Sequence, residues 1–143
     1  MIRRVEAADF EVWDRLWQKY LKFYRVELPE EITSKTFQRL VSRTDGLVGL
    51  VALNDDAELV GFANLVFHPS TWSTESYCYL EDLFVSPAAR GGSTAKELIM
   101  ATYEEADHAG ATRTYWQTQQ YNGAARSLYD QLGHPTSYII YHR

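Results

Sequence analysis

The stretch VSPAARGGSTAKELI, residues 85–99, constrains this chain more than any other. The apolar, aromatic run YCYLEDLFV ends at Pro87, an arginine and two glycines follow, and a helix opens at once. Ala95, Leu98, Ile99, Thr102, Tyr103 and Ala106 share one face of that helix, and Gly110 stops it. A strand, a glycine turn and a helix start are thereby fixed in one unit. Such a junction turns several unpaired backbone N–H groups toward one point, with the positive end of the helix dipole behind them. It is an anion site suited to phosphate. Gly91 and Gly92 let the backbone approach closely, and Ser93 is expected to cap the helix while its hydroxyl donates a further hydrogen bond. Taken alone, the same residues read equally well as a surface turn with a serine cap.

The remaining elements follow from periodicity. Ile2 to Val5 reads as a short strand. A helix starting at Ala8 and Asp9 carries Val12, Trp13, Leu16, Trp17, Tyr20 and Tyr24 at helical spacing. Pro29 breaks it, and Phe37, Leu40 and Val41 mark a second short helix from about Ser34 to Arg43. Leu47–Leu53 and Glu58–His68 are strands joined by the turn NDDA. A loop with Pro69 and Trp72 leads to the strand YCYLEDLFV, and after the glycine helix comes a strand over 112–118. Ala125, Leu128, Tyr129 and Leu132 line a last helix closed by Gly133, and Tyr138–Tyr141 gives a final strand. The order β-α-α-β-β-β-α-β-α-β predicts an α+β (mixed α/β) fold with a mostly antiparallel sheet. With no linker or repeat, residues 1–143 form a single domain.

Composition excludes some functions. A net charge of −5 and a pI near 5.3 argue against a nucleic-acid surface and lean toward a cationic substrate. Cys78 is the only cysteine, so no internal disulfide can form, and it reads as a small buried hydrophobe rather than a nucleophile. His68, His108, His134 and His142 lack metal-ligand spacing, so no metal is expected. The start MIRRVEAADF lacks a signal-peptide apolar run and no segment approaches a membrane span, which makes a cytoplasmic protein without membrane contact the expectation.

Together, YLEDLFV, the loop RGGSTA and the later NGAARSLYDQLG resemble the GCN5-related N-acetyltransferases, whose signature is Arg/Gln-x-x-Gly-x-Gly/Ala after the fourth strand. Arg90, Ser93 and Ala95 fall on the specified positions, Ser93 departing from the expected glycine. The likeness runs from about Trp13 to Tyr141, and TWSTESYCYLEDLFV and YEEAD resemble the branch of spermidine/spermine and histone/polyamine acetyltransferases. The resemblance implies an acetyl-CoA-dependent N-acetyltransferase. Leu83, Phe84 and Val85 would offer strand backbone to the pantetheine arm. The loop Arg90, Gly91, Gly92, Ser93, Thr94, Ala95 and Lys96 would hold the pyrophosphate, and Asn122 would lie beside the pantetheine. A dinucleotide-binding oxidoreductase is excluded, because its glycine motif should follow the first strand.

Acetyl transfer to an amine needs a neutral nucleophile, a stabilised oxyanion and a proton for the leaving thiolate. Tyr129 matches the family tyrosine near the thioester sulfur and is the candidate acid, although it reads equally as a core aromatic. Glu81 and Asp82 are adjacent in a strand and so are expected on opposite faces. The resemblance favours Glu81 as a base acting through water, with Asp82 pairing a cation; the bland reading is a solvated strand charge. An oxyanion donor is expected in backbone near Phe84, freed by a bulge. The acceptor pocket implied by the family includes Tyr20, Tyr24, Glu27 and Trp72, an aromatic and acidic lining that suits an ammonium. The reaction read here is direct attack by a primary amine of a small molecule, polyamine or amino-acid-like, on acetyl-CoA. The alternative is an acyl-CoA sensor on the same fold that does not turn over. Family analogy also implies a homodimer with the C-terminal strand as a contact.

Overall fold

A computed structural model describes residues 1–143. Strands β1 (Ile2–Arg4), β2 (Leu47–Leu53), β3 (Leu59–Ser70), β4 (Ser73–Val85) and β5 (Arg113–Tyr115) form one sheet in that spatial order. Every neighbouring pair is antiparallel except β4 and β5, which run parallel. Helices α1 (Phe10–Phe23) and α2 (Glu30–Ser42) cover one face, and α3 (Thr94–His108) and α4 (Gly123–Leu132) belong to the other. The fold class read from the sequence is the one observed.

Each face has its own core. Trp13, Leu16, Trp17 and Leu21 of α1 pack with Phe37 and Leu40 of α2 on Val51, Phe62 and Phe84. Phe62 is fully buried at the centre of this aromatic cluster, within 6.0 Å of the Trp13, Trp17, Tyr20 and Phe84 rings. Trp17 Nε1 donates to Thr33 Oγ1 at 3.1 Å, so the one polar atom of that ring is satisfied by α2. On the other face Leu98, Ile99 and Ala106 of α3 meet Ala63, Leu65, Cys78 and Leu80.

Several boundaries differ from the sequence expectation. The second helix begins at Glu30 rather than near Ser34. Pro29 marks its start: its fixed φ of −56° sets the chain's entry, and Glu30 and Glu31 complement the helix dipole. No loop surrounds Pro69; β3 runs through it to Ser70 and turns directly into β4 at Ser73. The proline is tolerated because β2 has already ended opposite Val66, leaving its missing N–H no partner to lose. The strand expected over 112–118 shrinks to Arg113–Tyr115. Tyr138–Tyr141 forms no strand at all: it stays exposed and pairs with neither edge of the sheet. Gly133 does follow the last helix, but in an extended conformation; its value is space, because a Cβ there would lie 2.9 Å from the Trp116 ring.

Candidate active site

The site forms where β4 and β5 part. β5 pairs only with Tyr77–Tyr79, so from Leu80 to Val85 the edge of β4 turned away from β3 carries no neighbouring strand. Leu83, Phe84 and Val85 lie on this open edge, with backbone able to pair an extended arm.

At the end of that strand the glycine loop has the properties its composition predicts. Gly91 takes a φ of +89°, and a Cβ built on it would meet nothing within 4 Å. Backbone N–H groups from Gly91 through Lys96 find no acceptor within the protein. Arg90 braces the loop, its Nε donating to the Val85 carbonyl at 3.0 Å with the guanidinium 5.4 Å from the Phe84 ring centre. These exposed donors fit a pyrophosphate. Ser93 needs correction: its hydroxyl does not cap the helix but donates to Glu97 Oε1 at 2.8 Å. With φ −93° and ψ 0° it sits in ordinary helical backbone, so the motif's glycine is not required there for conformation.

The carboxylates are not on opposite faces. Asn64 pairs with Asp82 and the next residue, Leu65, pairs with Leu80, so Glu81 is an extra, bulged residue. Leu80 points into the α3-side core, and the bulge then leaves both Glu81 and Asp82 on the α1 side. The bulge expected near Phe84 is therefore at Glu81, while Phe84 pairs regularly with Phe62.

Asp82 is held at both oxygens. Tyr20 donates to Oδ1 at 2.8 Å and Asn64 Nδ2 donates to Oδ2 at 2.9 Å. Because a carboxylate only accepts, Asn64 must present its amide nitrogen, which leaves its own buried Oδ1 without a donor. Desolvation holds the Asp82 carboxyl above its ordinary pKa, against the two hydrogen bonds that favour its charge. Glu81 is also raised, by desolvation and then by the Asp82 charge, with Arg39 opposing. Burial and Asp82 push the Tyr20 hydroxyl far up. Tyr24 is raised by desolvation and by Asp82, and Tyr129 by desolvation and by Tyr24. Asp82, Tyr20 and Tyr24 form a contiguous group, the Tyr20 hydroxyl on Asp82 and the Tyr20 and Tyr24 rings 5.0 Å apart.

Not every expected residue joins it. Asn122 stands at the N-terminus of α4 with its side chain free of protein partners. Glu27 is exposed between α1 and α2 and makes no ion pair. Trp72 is apart: it caps the β3–β4 turn, 77% exposed and 5.9 Å from the Arg113 guanidinium. Eight residues of β4 separate it from Glu81, about 30 Å of strand. Cys78 lies in the α3-side core, its thiol pushed up to about 12 by burial, and so is no nucleophile. Sequence reasoning missed Asn64 and Arg39; the asparagine inside the apolar run VGFANLVF was the available signal.

A sheet splayed beside a phosphate-ready loop, with acids and phenols at the split, defines an acyl-transfer class of protein. Residues 12–134 match the acetyltransferase (GNAT) family, and the chain belongs to that family as an N-acetyltransferase. It is 32% identical over 144 residues to the D-amino-acid N-acetyltransferase HPA3 of Saccharomyces cerevisiae, covering 100% of this chain and 89% of that protein. An uncharacterized N-acetyltransferase of Bacillus subtilis, YhfO, is 30% identical over 142 residues, covering 98% and 94%. Among solved structures, a probable acetyltransferase superimposes with a TM-score of 0.87 at 24% identity, covering 100% of this chain and 96% of that one. The enzyme AAC(6')-Iy, solved with a CoA bisubstrate analog, gives 0.85 at 21%, again covering 100% and 96%. No helix of the chain is long and apolar enough to cross a membrane.

Proposed function

We propose that this enzyme uses acetyl-CoA to acetylate the primary amine of a small, amino-acid-like molecule by direct attack within a ternary complex. The observation that carries the reading is the bulge, which leaves Glu81 and Asp82 together on the α1 side, with Tyr20 and Tyr24, beside the unpaired edge of β4. The name of the yeast relative supports an amino-acid acceptor over a polyamine.

Residues then take these roles. The Gly91–Lys96 backbone holds the pyrophosphate, and the free edge at Leu83–Val85 together with Asn122 aligns the pantetheine arm. Asp82, braced by Tyr20 and Asn64, fixes the ammonium form on arrival. Glu81, the more exposed carboxylate, takes its proton through water, and the freed lone pair attacks the thioester carbon. As the carbon–sulfur bond breaks, the Tyr129 phenol protonates the thiolate. A phenol raised by burial stays protonated at neutral pH, as an acid must. The exposed Tyr138–Tyr141 segment serves as the contact with a second copy.

Free-thiol release from acetyl-CoA with a panel of D- and L-amino acids, polyamines and a lysine peptide tests this. The expectation is release stimulated by amino acids, with kcat falling about 10²- to 10⁴-fold in Tyr129→Phe. Because Glu81 is raised, the rate should climb with pH through a pKa above the ordinary carboxylate range, and Glu81→Gln should remove that limb. Full activity of Tyr129→Phe at all pH values would remove the phenol as the acid.

A further inference from the structure

An acceptor of the kind just proposed carries a carboxylate one carbon from its amine. If the amine sits at Glu81, some cation close by must answer that second charge, since an unpaired anion against this acidic face would be repelled. Arg90 is already engaged with the Val85 carbonyl at the glycine loop, which leaves Arg39 and Arg113 as the arginines to weigh.

Arg39 lies in the last turns of α2. Beside it Leu40 packs on Gly49 of β2, and the chain re-enters that strand at Leu47. Gly49 pairs with Asn64 and Asn64 with Asp82, next to the bulged Glu81, so α2 packs over the row that ends at the carboxylates. The arginine is poorly satisfied where it stands. Its Nε is buried with no acceptor. Its one ion pair, to the largely exposed Asp45, is long at 3.7 Å. An arginine with a free buried donor normally finds an acceptor. Its charge is nonetheless felt at Glu81, whose pKa it pulls down.

Arg113, on the opposite flank, is the weaker claimant. Its guanidinium lies 4.7 Å from the Tyr77 ring centre and 5.9 Å from that of Trp72. It acts on Tyr115 and not on Glu81, with the stacked Tyr79 and Tyr115 rings, 4.8 Å apart, lying toward the carboxylates. Reaching it would take an acceptor longer than a free α-amino acid.

We propose that Arg39 is a specificity residue of the acceptor site, binding the α-carboxylate of an amino acid whose amine lies at Glu81. This rests on the amino-acid reading above. In the bound state the carboxylate displaces the long contact to Asp45 and takes a charge-assisted hydrogen bond from the guanidinium. The enzyme thereby prefers a free amino acid to its amide or to a simple amine.

The test compares steady-state acetylation of D-leucine with D-leucinamide, which lacks the carboxylate charge and has a less basic amine, by the full chain and its variants, each variant being read against the parent on the same substrate. Arg39→Gln should raise KM for the acid about 10- to 100-fold and leave the amide within about twofold. Arg39→Lys should recover part of the loss, and Asp45→Asn, by removing a competitor, should lower KM for the acid. An acetyl-CoA-induced rise in melting temperature equal to the parent's would show that the Arg39→Gln variant is folded. Equal losses on both substrates would mean that Arg39 only tunes Glu81 or supports α2, and would overturn the proposal. So would an acid-selective loss in Arg113→Gln instead. If acid and amide are used equally by the parent enzyme, this inference fails while the acetylation reading stands; if no amine is acetylated, both fall together.

Discussion

The two parts of this molecule on either side of Gly110 are built differently. Every buried residue lies between Val5 and Ala106, in two cores that close on both faces of β2, β3 and β4. Beyond Gly110 no residue is buried; β5 has three residues, and Leu128, Tyr129 and Leu132 of α4 only lean on the α3-side core. The candidate site draws on both. Glu81, Asp82 and the glycine loop belong to the well-packed part, whereas Tyr129 and Asn122 sit on the lightly held one. A site divided this way can keep its carboxylates and the proposed phosphate loop fixed while the wall carrying the proposed acid opens, because local opening costs least where apolar contacts are few.

The largest expected effect breaks this contrast if it is wrong. Phe62→Ala removes the ring at the centre of the α1-side core and should cost about 3–5 kcal/mol. Leu128→Ala, on a helix with no buried residue, should cost about 1 kcal/mol, well below a fully buried leucine. Urea unfolding of the two variants measures both. A Leu128→Ala loss as large as that of Phe62→Ala would show that α4 is as firmly packed as the rest.

The same divide governs what was legible in the sequence. The aromatic stripe on α1, the apolar face of α3 and the strand Leu47–Leu53 are local patterns backed by burial, and they stand where periodicity puts them. Gly91 was readable because a positive φ favours that residue. The bulge was not: alternation assumes a regular strand, and nothing local tells that Asn64 and Leu65 skip a partner. Hence alternation puts Glu81 and Asp82 on opposite faces, whereas in the folded strand they share one. Tyr138–Tyr141 has the composition of a strand, but strand formation depends on a partner edge, which is a property of the whole sheet. Arg39 was invisible for a similar reason, since a helix arginine in sequence looks like any solvated charge.

A smaller effect sharpens the comparison on the well-packed side. Asp82 has a folded pKa above its unfolded value, so the folded state binds this proton more tightly. The stability it contributes is complete below the ordinary carboxylate pKa of about 4, and is lost as pH rises through the raised folded value. Asp82→Asn should therefore flatten the fall in stability across that interval, as read by melting temperature against pH. An equally steep fall in the variant would place the titrating group elsewhere.

The smallest expected effect concerns the tail. Tyr138, Ile139, Ile140 and Tyr141 are 82%, 72%, 58% and 86% exposed, an apolar run that contributes nothing to either core. Removing residues 138–143 should accordingly change the stability of a dilute, monomeric sample by about 0.5 kcal/mol or less. The proposed contact with a second copy would reverse that insensitivity as concentration rises, because association stabilises the folded chain by mass action. The full chain should then show a melting temperature that increases with protein concentration, and the shortened chain should not. A concentration-independent melting temperature in the full chain would leave the run solvated and remove the second copy from the account. A large loss in the dilute shortened chain would instead mean that the tail packs on its own domain, and the division at Gly110 would have to be redrawn.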